Sequence, residues 1–454
     1  MKKLGIVVLI ILFLGTVGLG IAGITGFRDA NNAPAELTGW QKVRVADEAL
    51  YPENFEYVDY ATEVIFDYEK YPDLADQGLF WCYYDEDLGK VVRLDADSDE
   101  GAALVDPDKP TIINVHGMMA DGHYSEEAYY VNTKIGTAEE LGITEKEYPV
   151  QMTKLWLDAG YNVGIYNYNR FASENIDFSG IEEKIWATDG INGMRYKSRD
   201  GSLNKDVSEY TVAEHFAADY IRAVEKLPDD FGKEEIRVAA HSMGGEVCAA
   251  GLFLLTELAD ARVGQIAHEK IPSRYMMEDT FFAVHVPLED GVAYGGQTGL
   301  TCRWSGKNIP GDDTGITTIE ALKDLAANGI VMDYYSYTAS FLNAFISAEM
   351  RADLISVCAY VMIDVSYDSY GKGYDVLTEG HNGVRQFLLC SVTNGYDAAK
   401  AVTPEEKIAY AAALPTEEMA KLVGQCYKQT GGGSTLTTAD DVYTKNTEEI
   451  LGNG

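Results

Sequence analysis

Ser242 stands in "IRVAAHSMGGEV", Ile236 to Val247, where an alternating apolar run breaks at His-Ser-Met-Gly-Gly and resumes with helix-compatible residues. A serine attacks a carbonyl only if its oxygen stands clear of the backbone, beside a base and near amide donors. A tight strand–serine–helix bend meets these needs. It pushes the hydroxyl outward, offers the next N–H, that of Met243, to a developing oxyanion, and aims a helix N-terminus at the negative charge. The chain is cramped at such a bend, so the residues two before and two after the serine must be small. Here they are Ala240 and Gly244, and Gly245 adds clearance for the helix against the sheet. The pattern predicts a nucleophilic serine.

A base must meet it. Of seven histidines, His116 and His241 belong to strand-end loops, His116 in "INVHGMMADGH" and His241 beside the serine itself. His215 and His268 fall in predicted helices, His285 in a predicted strand, and His123 in the loop after His116. His381, in "TEGHNGVRQFLL", follows the last predicted strand and opens the last predicted helix.

The motif A-x-S-x-G resembles the nucleophile elbow G-x-S-x-G of the α/β-hydrolase superfamily, with alanine at the position where glycine is commoner. "AHSMGG" is similar to the elbow of a branch of bacterial lipases, and the resemblance spans Phe80 to Asn394. It implies that His116-Gly117 is an oxyanion loop, whose Met118 N–H completes the hole begun by Met243. It also implies that His381 is the base, since the superfamily carries its histidine after the last strand. The acid is expected after the strand that follows the elbow, or one strand later. "AVHVPLEDG" offers Asp290 first and Glu289 beside it, although the residue directly before Pro287 is Val286. Asp333 in "GIVMDYYS" is the second option, and Asp364 and Asp368 lie near His381 in sequence. The resemblance implies a serine esterase or lipase that works through an acyl-enzyme and needs neither metal nor organic cofactor. The same triad serves peptidases, thioesterases and acyltransferases, and a silent relative would be a surface binding protein.

Positioning these groups requires a particular scaffold. "LFWCYYDED" and "KVVRLDAD", flanking Leu88-Gly89, predict an antiparallel hairpin. Short apolar strands then alternate with amphipathic helices, the grammar of a mainly parallel sheet covered on both faces. Strands are predicted at 111–116, 162–169, 236–241, 280–287, 329–336 and 354–365. Val212 to Leu227 has helical periodicity, Thr317-x-x-Glu320 reads as a capping box opening a helix to Ala327, and a last helix near Asn382 carries Val384, Phe387 and Leu388. Two long connections, 170–206 and 291–315, suit lids or pocket walls. In the first, Trp186, Met194 and Tyr196 fit either an acyl pocket or the insertion's own core. The fold class expected is α/β, an α/β-hydrolase domain over 37–400, with a helical then flexible tail over 401–454.

The chain has 454 residues, and 46% are hydrophobic, enough for a large core. A formal charge of -36 disfavours nucleic-acid partners, which require lysine and arginine clusters. Residues 1–36 read as an export segment and linker. Lys2 and Lys3 precede an uncharged stretch from Leu4 to Phe27. At about 1.5 Å per residue this could cross a bilayer core of about 30 Å, and Gly20-Ile21-Ala22 also suits signal cleavage. An extracellular or cell-surface enzyme is expected, touching membrane only through this segment and acting on a small-molecule or lipid ester. The six cysteines show no metal spacing. Cys248 and Cys358 read as core residues, and Cys390 with Cys426 as a candidate bridge. "DADSDEGAALVD" superficially resembles a calcium loop, but Glu100 stands where the sharp-turn glycine is needed, and a solvated acidic loop is the expectation.

Overall fold

The computed structural model describes residues 58–118, 152–173, 178–188, 193–198, 200–259, 263–280, 282, 286–287, 293–294, 314–338, 346–364, 381, 384, 391–392, 395–432 and 440–445. The export segment, most of the 291–315 connection, Cys302 and Cys390 lie outside these residues. Among the described residues no helix is long and apolar enough to cross a membrane.

Ten strands form one sheet: β1 (Gly78–Asp85), β2 (Lys90–Asp95), β3 (Thr111–Val115), β4 (Asn162–Asn167), β5 (Ile236–His241), β6 (Arg274–Glu278), β7 (Val331–Tyr337), β8 (Ala359–Ile363), β9 (Cys426–Gly431) and β10 (Val442–Lys445). Their spatial order is β10-β9-β8-β7-β6-β5-β3-β4-β1-β2. The seven strands from β4 to β9 in that row run parallel, while β1 pairs antiparallel with both β4 and β2, and β10 antiparallel with β9. The hairpin turns where expected, at Gly89, whose φ of 61° suits glycine. Central strands such as β3 and β5 are buried at every position, as a sheet covered on both faces requires.

Among the described residues, six helices of seven residues or more flank it: α1 (Met152–Asp158), α2 (Phe178–Trp186), α3 (Val212–Glu225), α4 (Gly244–Leu258), α5 (Thr314–Ala327) and α6 (Ala348–Val357). Thr211 caps α3 in a reciprocal capping box with Glu214. One apolar cluster joins α3 and α4 to one face of the sheet; a second gathers Trp156 of α1 and the C-terminal Ile408, Leu414 and Met419.

The structure departs from the sequence reading in four places. The strand expected at 280–287 is β6, which lies earlier and carries a charge at each end, Arg274 and Glu278. Residues 354–357 finish helix α6, which starts from a Ser347 cap on the Met350 N–H (3.1 Å), so only the latter part of "LISVCAYVMIDV" is strand. Helix α5 begins at Thr314, and Thr317 is buried within it rather than capping it. The region after Ala401 does hold two short helices, Pro404–Ile408 and Thr416–Ala420, but then adds β9 and β10 to the main sheet.

This C-terminal region is tied to the sheet by two buried arginines. Arg237 of β5 donates to the carbonyls of Ala412 (2.5 Å) and Leu414 (2.8 Å). Arg274 of β6 donates to Leu414 (2.7 Å) and Ala411 (2.9 Å) and makes a two-pronged pair with Asp333 (2.9 and 2.7 Å). Both guanidiniums are fully buried, so these acceptors stand in for water. Cys82, Cys248, Cys358 and Cys426 are all buried. In the acidic loop, Ser98 caps a short helix through the Gly101 N–H (2.9 Å), and the Asp95 carboxylate accepts the Asp97 N–H (3.0 Å).

Candidate active site

Strand β5 delivers Ser242 to the bend before α4 with a φ of 55°. Left-handed backbone at a non-glycine residue costs on the order of 1–3 kcal/mol and persists only when neighbours impose it. The neighbours here are packed tightly. The Ser242 N–H donates to the Glu278 carbonyl at the end of β6 (2.9 Å). A Cβ on Gly244 would strike the His116 carbonyl and lie 2.8 Å from that of Val115, so the elbow rests directly on the end of β3. A Cβ on Gly245 would collide with the Thr280 side chain. The expected clearance for Gly245 is thus specific: it admits the chain just past β6.

Gly117 completes the crowding. A side chain there would put its Cβ 2.6 Å from the Ser242 Cβ and 2.9 Å from the His241 carbonyl. The His116-Gly117 strip therefore lies against the serine. His116 Nδ1 is 2.8 Å from the Gly117 carbonyl. A carbonyl only accepts, so this nitrogen carries the proton and fixes the orientation of the Gly117–Met118 peptide. Met118 is partly buried and Met243 fully so; neither main-chain N–H donates to another described residue.

His381 lies against His241, the residue before Ser242, with the two ring centroids 4.3 Å apart. Its Nδ1 is 2.7 Å from Asp279 Oδ2. Asp279 is fully buried, follows β6 directly, and has a φ of 42°. Its other oxygen accepts the Tyr337 N–H (3.2 Å) and the Ser336 hydroxyl (3.4 Å), so the carboxylate is held from the β7 side as well. With Nδ1–H donating to a carboxylate, Nε2 is left with its lone pair, the form a general base needs.

The carboxylate bonded to His381 is one the sequence reading did not name. Asp290 and Glu289 lie outside the described residues, as does Asp368, and the carboxylate set against His381 is Asp279. Asp333, the second option, is consumed by Arg274 inside the sheet. Asp364 accepts from the Thr338 hydroxyl (3.3 Å) and is not bonded to His381. The signal that would have found Asp279 is an acidic residue closing the short apolar core "YMM" of β6; the charged ends of that strand hid it.

Of the pocket candidates, His116 and Gly117 are at the elbow. Trp186, Met194 and Tyr196 are not on an open wall. Each is 1% exposed and packed in the core with Phe171, Ile181 and Ile185, because the insertion folds its apolar residues inward. Trp186 also donates to Glu246 Oε2 (2.7 Å), which fastens α2 to the first turn of α4.

A parallel sheet with this strand order, a strained serine between its central strand and a helix, and a carboxylate–imidazole pair at the same edge define the α/β-hydrolase fold. No protein-family model and no curated protein matches the sequence. Among solved structures, the chain is similar to an acylaminoacyl peptidase from Pyrococcus horikoshii at 12% identity and a TM-score of 0.33, covering 74% of this chain and 46% of that one. The chain thus spans under half the length of that peptidase. It is also similar to the thioesterase domain from the curacin biosynthetic pathway (11%, TM-score 0.28, covering 67% and 98%) and to a monoglyceride lipase from Saccharomyces cerevisiae (12%, TM-score 0.28, covering 63% and 87%).

Proposed function

We propose that this protein is an exported serine hydrolase that cleaves carboxylic esters through an acyl-enzyme on Ser242. The observation that carries the reading is the left-handed Ser242 at the end of β5, with the His381–Asp279 pair set against its chain neighbour His241. His381 Nε2 takes the hydroxyl proton as the Ser242 oxygen bonds to the ester carbon. The resulting oxyanion is met by the Met118 and Met243 N–H groups. As the tetrahedral species collapses, His381 returns its proton to the leaving alkoxide, and the alcohol departs. Water then repeats the attack with His381 as base, releasing the acid and restoring the serine. The Asp279 carboxylate orients the ring and stabilises the imidazolium as it forms. No step uses a metal or organic cofactor. Export rests on the apolar stretch from Leu4 to Phe27.

The test is p-nitrophenyl butyrate hydrolysis with parental and Ser242→Ala protein. Turnover should fall on the order of 10⁴–10⁶-fold with unchanged thermal unfolding. Parental protein, and not the variant, should be labelled by a fluorophosphonate. Peptide and acyl-thioester substrates in the same assay separate ester cleavage from its nearest alternatives.

A further inference from the structure

We infer that His241, the residue immediately before the nucleophile, is a positioning residue that anchors the main chain of the general base; the inference rests on the proposed hydrolase reading. His241 closes β5 and is 6% exposed. Its Nε2 lies 3.1 Å from the main-chain carbonyl of His381, and the two rings face each other at 4.3 Å, tilted by 43°. A carbonyl oxygen only accepts, so Nε2 of His241 is protonated and donates. The other edge of the ring faces the oxyanion strip: a Cβ on Gly117 would come 3.3 Å from His241 Nδ1. One imidazole therefore spans the gap between the strip that holds the oxyanion and the residue that moves the proton.

This contact does something the acid cannot. Asp279 grips His381 at a single ring nitrogen, which fixes the tautomer but leaves the ring free to pivot about that bond. Holding the carbonyl of the same residue removes the pivot. The chain of contacts then closes on itself. His241 holds His381, His381 holds Asp279, and the residue before Asp279, Glu278, accepts the N–H of Ser242, which follows His241. The base is thereby registered to the strand that carries the nucleophile. A displacement of about 1 Å at a reacting group can cost about 10²-fold in rate, so the effect falls on the chemical step rather than on substrate affinity.

The experiment compares His241→Phe, which keeps a ring but loses the donor, with His241→Gln, whose side-chain amide restores one. In His241→Phe, kcat for p-nitrophenyl butyrate should fall about 10- to 100-fold while KM stays within about twofold; His241→Gln should recover most of the lost kcat. Nitrogen NMR of the parental imidazoles provides a readout independent of whether the phenylalanine variant folds. His241 should carry its proton on Nε2, and a proton on Nδ1 alone would overturn the inference. Parental kcat in a folded His241→Phe protein overturns it too, provided Ser242→Ala is inactive. Parental turnover in Ser242→Ala overturns the hydrolase reading and this inference together.

Discussion

Replacing Asp279 by asparagine changes one atom and, from the surrounding bonds, inverts the role of His381. The outer oxygen of Asp279 accepts from the Tyr337 N–H and the Ser336 hydroxyl. An asparagine must keep its carbonyl oxygen there, since its amide cannot accept from those donors. Its NH2 is then turned toward His381 Nδ1, which has to accept, and the ring proton moves to Nε2. The base enters the reaction with its working nitrogen already protonated. The lost charge adds to this. With charge centres about 4 Å apart and an effective dielectric of about 20, carboxylate and imidazolium attract by roughly 4 kcal/mol, about 10³ in rate. Together the effects predict a kcat loss of about 10³–10⁴-fold for Asp279→Asn, with little change in KM. Steady-state hydrolysis of p-nitrophenyl butyrate and the rate of fluorophosphonate labelling should fall in parallel. Asp279→Asn turnover within tenfold of the parent would refute the assignment. A large loss in Asp290→Asn, with Asp279→Asn near parental, would return the acid to Asp290.

Three further outcomes follow from the packing and burial. Gly117→Ala sets a methyl group against the main chain of His241 and the Cβ of Ser242, neither of which can swing aside. It should lower kcat at least 10²-fold and cost about 1–3 kcal/mol in urea unfolding, and a fully active variant would show that the strip does not touch the elbow. Gly245→Ala should be destabilising by a similar amount through its clash with Thr280, and adding Thr280→Ala should recover about 1 kcal/mol; strictly additive effects would dismiss the contact. Burial holds the His215 pKa down at about 3. The unfolded chain, with a pKa near 6.5, binds a proton that the folded one refuses, so this stability is complete above about pH 6.5 and is lost as pH falls toward 3. Between pH 8 and pH 5 the loss is about 2 kcal/mol. His215→Gln should show a correspondingly flatter pH dependence of unfolding free energy, and an unchanged slope would rule His215 out as its source.

The parts of this design that were legible in the sequence are those enforced locally. The elbow had to have small residues around Ser242, and small residues are visible. His116-Gly117 stood out because it follows an apolar run, while His381 was reached only through the resemblance and its place after the last predicted strand. The hairpin at Gly89 announced itself by alternation. What stayed hidden depended on partners far along the chain. β6 reads as too polar for a central strand because Arg274 is satisfied by Asp333 and by carbonyls near Leu414, residues whose proximity no local pattern encodes. The apolar run at 280–287 has the stronger local strand pattern, so a carboxylate expected after it falls beyond Asp279. The insertion's Trp186, Met194 and Tyr196 were ambiguous for the same reason: burial is a property of what packs against them.

The hold of Arg237 and Arg274 on the carbonyls of Ala411, Ala412 and Leu414 sets an order on the birth of the molecule. Until the ribosome has released that stretch, Arg237 and Arg274 lack these carbonyl acceptors, and Arg274 has only its pair with Asp333 to replace water. A chain stopped near residue 400 would lose these acceptors together with β9 and β10, and should unfold in less urea than the full chain.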